Sequence, residues 1–336
     1  MVTIALDVMG GDWAPGAPVR GARQAVDARG DVRVLLVGDR ERVSAEERAL
    51  SSHARLTWVQ ADEVILTADA PVQAVRQKRE SSLVKTVQLV REGDARAAIS
   101  AGNTGALMAA GLFVLGRLKG IERPALTAIL PSFRGWGVLM LDVGANLDPK
   151  PYQLYQYAIM GSIYCREIYG VENPRVALLN VGVEAEKGPP LVRQAYELMI
   201  GDRHLNFVGN VEPRELLQGQ ADVVVSDGFA GNVALKAIEG AARDIFHEVR
   251  EALMGNWRRK LGALLVRDGF RALARRWDYQ EQGGAPLLGL RQIVYKCHGA
   301  SDARAFRQTI LKAAEYCGRD AQSRILEGIE RGAKAQ

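Results

Sequence analysis

Six stretches of the chain couple glycine with Asn, Asp, Ser, His or Lys: DVMGGD (7–12), SAGNTGA (100–106), DVGANLD (142–148), NVGVEAEKG (180–188), SDGFAGN (226–232) and KCHGAS (296–301). Glycine lets the backbone pass close to a ligand, and the polar partners donate or accept hydrogen bonds. Turns favour Gly and Asn in any protein, so one such loop says little. Six of them, mostly at the ends of expected strands, point to one shared binding edge, because open α/β sheets bind ligands beyond the carboxyl ends of their strands.

SAGNTGA follows an expected strand ending at Ser100, and Thr104 is placed to cap the helix behind it. Amides at a helix N-terminus attract anions, so the loop is either an anion cradle or an ordinary capped turn. SDGFAGNVALK has the same build. Its Lys236, one turn after Asn232, either reaches a bound phosphate or lies in solvent. Neither loop has the spacing GxxxxGK[ST] of a P-loop, and no GxGxxG follows a strand. Among His53, His204, His247 and His298, only His298 stands in a glycine loop. Cys297 adjoins it, but neighbours in extended chain point opposite ways, which argues against a Cys–His pair. Cys165 and Cys317 fall on or near expected helices, and no GxSxG elbow is present. The expected chemistry therefore has no covalent protein intermediate. Asp7, Asp12, Asp142 and Asp227 either gather around a divalent cation or orient donors around the site. No metal and no cofactor is assigned.

The elements that must position these loops alternate. Apolar runs at 3–7, 32–37, 56–60, 97–100, 125–130, 137–143, 175–181, 205–208 and 222–226 predict strands. Helical patterns fall near 16–29, 45–53, 71–79, 82–92, 104–117, 150–169, 188–199, 212–218, 231–254 and 303–316, and the tail after about Gly328 reads as frayed. Such alternation predicts a mostly parallel sheet with helices on both faces, here as one domain over 1–336. The longest near-uniform apolar run, Ala106 to Gly116, is too short to span a bilayer, and the N-terminus has no basic n-region. Three dispersed cysteines suit a reducing compartment, so a cytoplasmic protein is expected.

The segment from 255 to 278 breaks the rhythm. Between Arg243 and Arg276 stand nine Lys/Arg against four Asp/Glu, which is the whole +5 surplus of the chain. Trp257, Leu261, Leu264 and Leu265 form one apolar set, and Val266, Phe270, Leu273 and Trp277 another. On one continuous helix the two sets fall on opposite sides. Two short helices meeting at Asp268-Gly269 would restore a common face, giving a basic amphipathic hairpin that protrudes at about 250–280. Nucleic acid is not expected as a partner, because no reading motif accompanies the charge.

In this order the loops resemble the bacterial phosphate acyltransferase family, the acyl-acyl-carrier-protein:phosphate acyltransferases of phospholipid synthesis. The matching pieces are ALDVMGGDWAP (5–15), SAGNTGALMAAG (100–111), RPAL (123–126), LDVGAN (141–146), LLNVGVEAEKG (178–188), SDGFAGNVALKAIEG (226–240) and GGAPLLG with KCHGAS (283–301). Two positions depart from the pattern: Val183 interrupts an acidic run, and Cys297 stands where alanine is common. The resemblance implies a three-layer α/β/α fold like that of phosphotransacetylases and the isocitrate/isopropylmalate dehydrogenases. It implies a homodimer at the inner face of the membrane, and a product consumed by a glycerol-3-phosphate acyltransferase. The implied reaction is attack of inorganic phosphate on the acyl-carrier-protein thioester.

Phosphate would then be the nucleophile, which fits the missing Ser or Cys device. On this reading Ser100, Gly102, Asn103, Thr104 and Gly105 hold phosphate, and Lys187 and Lys236 neutralise it. Asn146 or Asn232 supplies oxyanion donors, while His298 or Asp227 handles the proton at the leaving sulfur. Gly10, Gly11, Asp12 and Ser301 complete the walls. The basic segment, with Trp257, Arg258, Arg259, Lys260, Leu261, Leu264, Arg267, Phe270, Arg271 and Arg275, would meet the acidic carrier protein or anionic lipid, or pack on a dimer mate. The alternatives are a phosphotransacetylase-like enzyme using acyl-coenzyme A, a metal-dependent nicotinamide dehydrogenase of similar fold, and a non-catalytic membrane scaffold. The first is the runner-up, since the loops do not separate coenzyme A from carrier protein as donor; the dehydrogenase lacks a supporting motif, and the scaffold leaves the intact loops unexplained.

Overall fold

The alternation of apolar runs and amphipathic stretches becomes a three-layer α/β/α molecule in the computed structural model, which describes residues 1–277 and 282–334. The first half of the chain runs β1 (Val2–Asp7), α1 (Gly16–Ala28), β2 (Val32–Gly38), α2 (Ala45–Leu50), β3 (Leu56–Gln60), α3 (Pro71–Gln77), α4 (Ser82–Glu92), β4 (Ala97–Ser100) and α5 (Thr104–Ala110). Then follow β5 (Ala125–Leu130), β6 (Val138–Leu141), α6 (Pro151–Tyr169), β7 (Val176–Leu179), α7 (Pro190–Ile200), β8 (Phe207–Val211) and β9 (Val223–Val225). The chain closes with α8 (Gly228–Met254), α9 (Trp257–Trp277), β10 (Ala285–Leu288), β11 (Ile293–Lys296), α10 (Ala303–Gly318) and α11 (Ala321–Lys334).

The strands form one sheet in the order β3-β2-β1-β4-β11-β10-β5-β6-β9-β7-β8. Its two halves are each parallel. They are joined by antiparallel pairs, β11 with β10, β10 with β5, and β5 with β6. Three reversals leave the β6–β9–β7–β8 half running opposite to the β3–β2–β1–β4–β11 half. The loops at 7–12, 100–106 and 296–301 therefore lie at one edge, and those at 142–148, 180–188 and 226–232 at the other. The single shared edge expected from the sequence is corrected to two edges that approach across the central strands.

One core face gathers α1, α6, α10 and α11 around Leu6, Leu36, Tyr157 and Phe306; the other packs α4 and α5 over Ala98, Val87 and Leu107. Four expectations needed adjustment. The strands β10 and β11, APLL and IVYK, are additional to the strands expected from the sequence. The stretch 104–117 divides into α5 and a π-helical turn at Gly111–Leu115, and 212–218 is a 3-10 turn at Pro213–Gln218. The tail is not frayed: α11 buries Ile325 and Ile329 against α6. Finally, 255–278 is not two helices meeting at Asp268-Gly269 but one, α9, folded back on α8 through Gly255 and Asn256; residues 278–280 of the expected hairpin lie outside the described ones. Glycine tolerates a helix interior at a cost near 1 kcal/mol, which twenty other residues offset.

The continuous helix keeps its two apolar sides, and they are used differently. Phe270 and Trp277 are half-buried, with Trp277 tilted against Phe133 at 5.8 Å. Trp257, Leu261, Leu264 and Leu265 face outward, 55 to 89% exposed. No helix among the described residues is long and apolar enough to cross a membrane.

The root of α8 is wedged against the loop after β6. A Cβ on Gly231 would stand 2.0 Å from Asp142 O and 2.4 Å from Ser226 Oγ, so this crossing accepts only glycine. Gly231→Ala is expected to cost about 1–3 kcal/mol, as overpacking does elsewhere, and to lower the urea midpoint of unfolding.

Candidate active site

Two buried carboxylates at strand ends shape the site. At the end of β1, Asp7 accepts from Ser100 Oγ at 2.6 Å and from Met9 N–H at 3.1 Å. Ser100 Oγ in turn accepts from Gly102 N–H at 3.0 Å. Gly10 fits against this loop so closely that a Cβ there would meet Gly102 N at 2.6 Å. Asp12 N–H donates to Gly299 O at 2.8 Å, and Gly11, with φ +101, passes beneath the same carbonyl. Three loops from β1, β4 and β11 are thus stitched into one wall.

The opposite wall repeats the device. Asp142, at the end of β6, accepts from Leu126, Gly144 and Ala145 N–H through Oδ1 and from Asn146 N–H and Nδ2 through Oδ2, at 2.6 to 3.2 Å. Asn146 Nδ2 also donates to Pro124 O at 2.7 Å, so both hydrogens of that amide are committed to the wall. Asn146 O receives Gly228 N–H at 2.8 Å, which seats the start of α8. Burial pushes both Asp7 and Asp142 above the usual carboxylate range, while their hydrogen-bond donors oppose it. The two carboxylates belong to separate walls and are spent on loop donors.

Between the walls, across β5 and β10, lies a cleft of about 390 Å³. Thr104, Asn232, Lys236 and His298, all singled out from the sequence, line it together. Asn232 packs over Gly144, where its Nδ2 lies 3.4 Å from an ideal Cβ position. His298 Nδ1 accepts from Ala300 N–H at 3.2 Å, which places the ring proton on Nε2.

Other named residues stand behind the lining. Ser100 and Ser301 are buried. Asn103, not Thr104 as expected, caps α5: its Oδ1 accepts from Ala106 N–H at 3.0 Å, and its Nδ2 holds Thr67 O at 3.1 Å. That shift by one residue frees the Thr104 hydroxyl to face the cleft, where the first amides of α5 have no helical carbonyl to pair with. Asp227 caps α8, accepting from Phe229 and Ala230 N–H at 2.9 and 2.8 Å. Lys187 is exposed in its loop and outside the cleft lining; its backbone carbonyl holds Asn180 Nδ2 at 3.0 Å.

The structure adds two residues the sequence reading passed over. Lys296, the last residue of β11, lies in the cleft with Nζ donating to Ala101 O at 3.3 Å and to Cys297 O. It clamps the β4 loop to the β11 loop. Burial pushes its pKa down, against the pull of Cys297, Asp7 and Asp12. Its motif was quoted, but without β11 nothing marked the lysine as a strand end facing inward. Glu239, one turn beyond Lys236, is the other; burial raises its pKa, and His298 and Lys236 oppose that. Cys297 also lines the cleft, with its thiol buried and Sγ 3.3 Å from Thr309 Oγ1; burial pushes the thiol up to about 11, unsuited to a nucleophile at neutral pH. The cleft is thus a polar pocket with cations and a histidine, and without an activated side-chain nucleophile among the described residues.

A family model described as fatty acid synthesis protein matches residues 2–324. A phosphate acyltransferase of Bacillus licheniformis is 49% identical over 330 residues, covering 98% of this chain and 99% of that one. One of Bacillus cereus is 48% identical over 328 residues, covering 98% of each. Among solved structures, a phosphotransacetylase from Streptococcus pyogenes superposes with a TM-score of 0.60 at 19% identity, covering 93% of both chains. A branched-chain phosphotransacylase from Enterococcus faecalis gives 0.60 at 15% identity over 95% of this chain and 100% of that one. At these identities the two structures show the shared fold.

The Asp7–Ser100–Gly102 relay carries a prediction. Ser100→Ala strands the Gly102 amide and removes a donor from Asp7, a loss expected at about 1–3 kcal/mol and measured as a lower urea midpoint. An unchanged midpoint would show that the relay does not hold the wall.

Proposed function

The chain belongs to the phosphate acyltransferase family and is an acyltransferase of fatty acid and phospholipid synthesis; on that premise we propose that it forms acyl phosphate by direct attack of inorganic phosphate on an acyl-acyl-carrier-protein thioester. The observation that carries this reading is the convergence of Thr104, Asn232, Lys236 and His298 from two sheet edges on one cleft without an activated nucleophile. Phosphate sits at the start of α5, held by the Thr104 hydroxyl and the amides of 103–105, with Lys236 and Lys296 balancing its charge. An oxygen of the phosphate attacks the thioester carbonyl. Asn232 donates to the oxyanion as the tetrahedral carbon forms, since Asn146 has no hydrogen left to give. The C–S bond breaks on collapse, its electron pair leaves on sulfur, and the thiolate, held by a hydrogen bond from the Nε2–H of His298, takes up the proton shed by the attacking hydrogen phosphate. Asp227 acts through α8, whose first turn it caps. Lys187 stands outside the lining and would act on substrate that reaches beyond the cleft.

The basic α9 supports an encounter with the acidic carrier protein, and its outward Trp257, Leu261 and Leu264 support attachment to the inner face of the membrane. There a dimer of the chain would release acyl phosphate to the next acyltransferase, a glycerol-3-phosphate acyltransferase.

Removing one oxyanion donor typically costs a factor of about 10²–10³ in kcat. Asn232→Ala is expected to lower acyl-phosphate formation by that order, with His298→Ala and Lys236→Ala also impaired and Lys187→Ala least affected. Near-wild-type rates in folded Asn232→Ala, His298→Ala and Lys236→Ala would move the site elsewhere. For the membrane, vesicles rich in anionic lipid are expected to sediment the protein, and Leu264→Glu to weaken that. Equal sedimentation of wild type and variant would remove the apolar face of α9 from the interaction.

A further inference from the structure

The cleft opens sideways into a larger trough of about 1060 Å³ between the end of β5, α8 and the end of α9. Lys236, Glu239 and His298 line both, so the two spaces adjoin. Beyond Glu239 the walls turn apolar. Ile129, Leu130 and Pro131 form one side, and Ile238, Ala242 and Phe246 the other, with Trp277 beside Phe133. Leu235, Ile238, Ala242 and Phe246 recur at helical spacing, so they lie along one stripe of α8 that starts at the site. At about 1.5 Å per residue the path from Lys236 to Phe246 is roughly 15 Å. Arg243, Arg271, Arg275 and Arg276 border the trough, and the Arg276 guanidinium donates to Ser132 O in the loop after β5.

Gly240 lies in this wall, in the middle of α8. A Cβ there meets nothing within 4 Å, unlike Gly231, where two atoms forbid it. Packing therefore gives no reason for glycine at 240, and a helix interior disfavours it. The missing side chain leaves room in the trough.

We propose that this trough holds the acyl chain of the thioester, and that Gly240 and Ala242 set how long a chain it takes. The inference rests on the acyl-phosphate reading of the cleft. It assigns the reacting carbonyl to the mouth by His298 and Asn232, and the alkyl tail to the stripe that ends at Phe246 and Trp277. An aliphatic chain is the occupant the walls fit: a continuous apolar stripe of α8 faces Ile129, Leu130 and Pro131, the space adjoins the thioester site, and Arg243, Arg271, Arg275 and Arg276 border it where it meets solvent.

The test compares six-carbon and sixteen-carbon acyl-acyl-carrier-protein thioesters. Each methylene denied burial is worth roughly a factor of four. Gly240→Leu is expected to lower the sixteen-to-six-carbon ratio of kcat/KM by about tenfold or more. Ala242→Phe, one half-turn on, should act in the same direction and carries the test if the first variant fails to fold. Phe246→Ala should raise the ratio. An unchanged ratio in folded Gly240→Leu and Ala242→Phe would overturn the proposal, as would an equal fall for both chain lengths, which would mean a displaced α8. If the wild type made no acyl phosphate from either thioester, the reading of the cleft itself would fail, separately from the assignment of the trough.

Discussion

Two buried carboxylates organise the structure around them. Asp7 and Asp142 each follow a leucine at the end of an inner strand, and each turns back to collect hydrogen-bond donors from its own and a neighbouring loop. A carboxylate in the interior is costly unless its oxygens are satisfied, and here that cost is offset only when the loops take one conformation. The glycines around them follow from the same constraint. Gly10, Gly11 and Gly144 adjoin the donors so closely, or turn so sharply, that a side chain would force the amides apart. The negative charges of DVMGGD thus do not repel an anion at the site; Asp7 lies beneath the loop and orders it.

Duplicating the device on two half-sheets that run in opposite directions has a consequence for the chemistry. A single parallel sheet offers one row of loops, all approaching a ligand from the same side. Here the antiparallel strands β10 and β5 set one row against another, and the cleft between them is lined from both. One wall brings the α5 N-terminus, Lys296 and His298; the other brings Asn232, Lys236 and Glu239. A reaction between an anion and a neutral carbonyl needs such a division, since the anion requires cations and amides while the carbonyl requires a donor aimed at its oxygen from elsewhere.

Most of this was legible in the sequence, and the losses have physical causes. The six loops were visible because glycine beside Asn, Asp or Ser is a local signature. Their distribution over two edges was not, because it depends on the antiparallel pairings of β11, β10, β5 and β6, and a local pattern carries no strand direction. Asn103 and Thr104 are both good caps, and only the geometry of the turn decides that Asn103 bonds the Ala106 amide. Asn146 and Asn232 were equivalent by type; Asp142 and Pro124 separate them by taking both hydrogens of the first. For α9, periodicity gave the apolar sets correctly, but the choice between one helix and two turned on a glycine that costs little against the hydrogen bonds of an unbroken helix.

That unbroken helix constrains what can cover it. With its apolar sets on opposite sides, α9 cannot bury both against one flat surface. Phe270 and Trp277 are already turned toward the body of the molecule, beside the trough, while Leu261, Leu264 and Leu265 remain outside. The hairpin therefore has an inner side beside the trough and an outer side that stays exposed. α8 joins the two, since the helix that carries Asn232 and Lys236 in its first turns also supports α9 along its length. Its root is fixed by Asp227, Gly228 and Gly231, and its far end has few buried contacts, which concentrates local opening away from the chemistry.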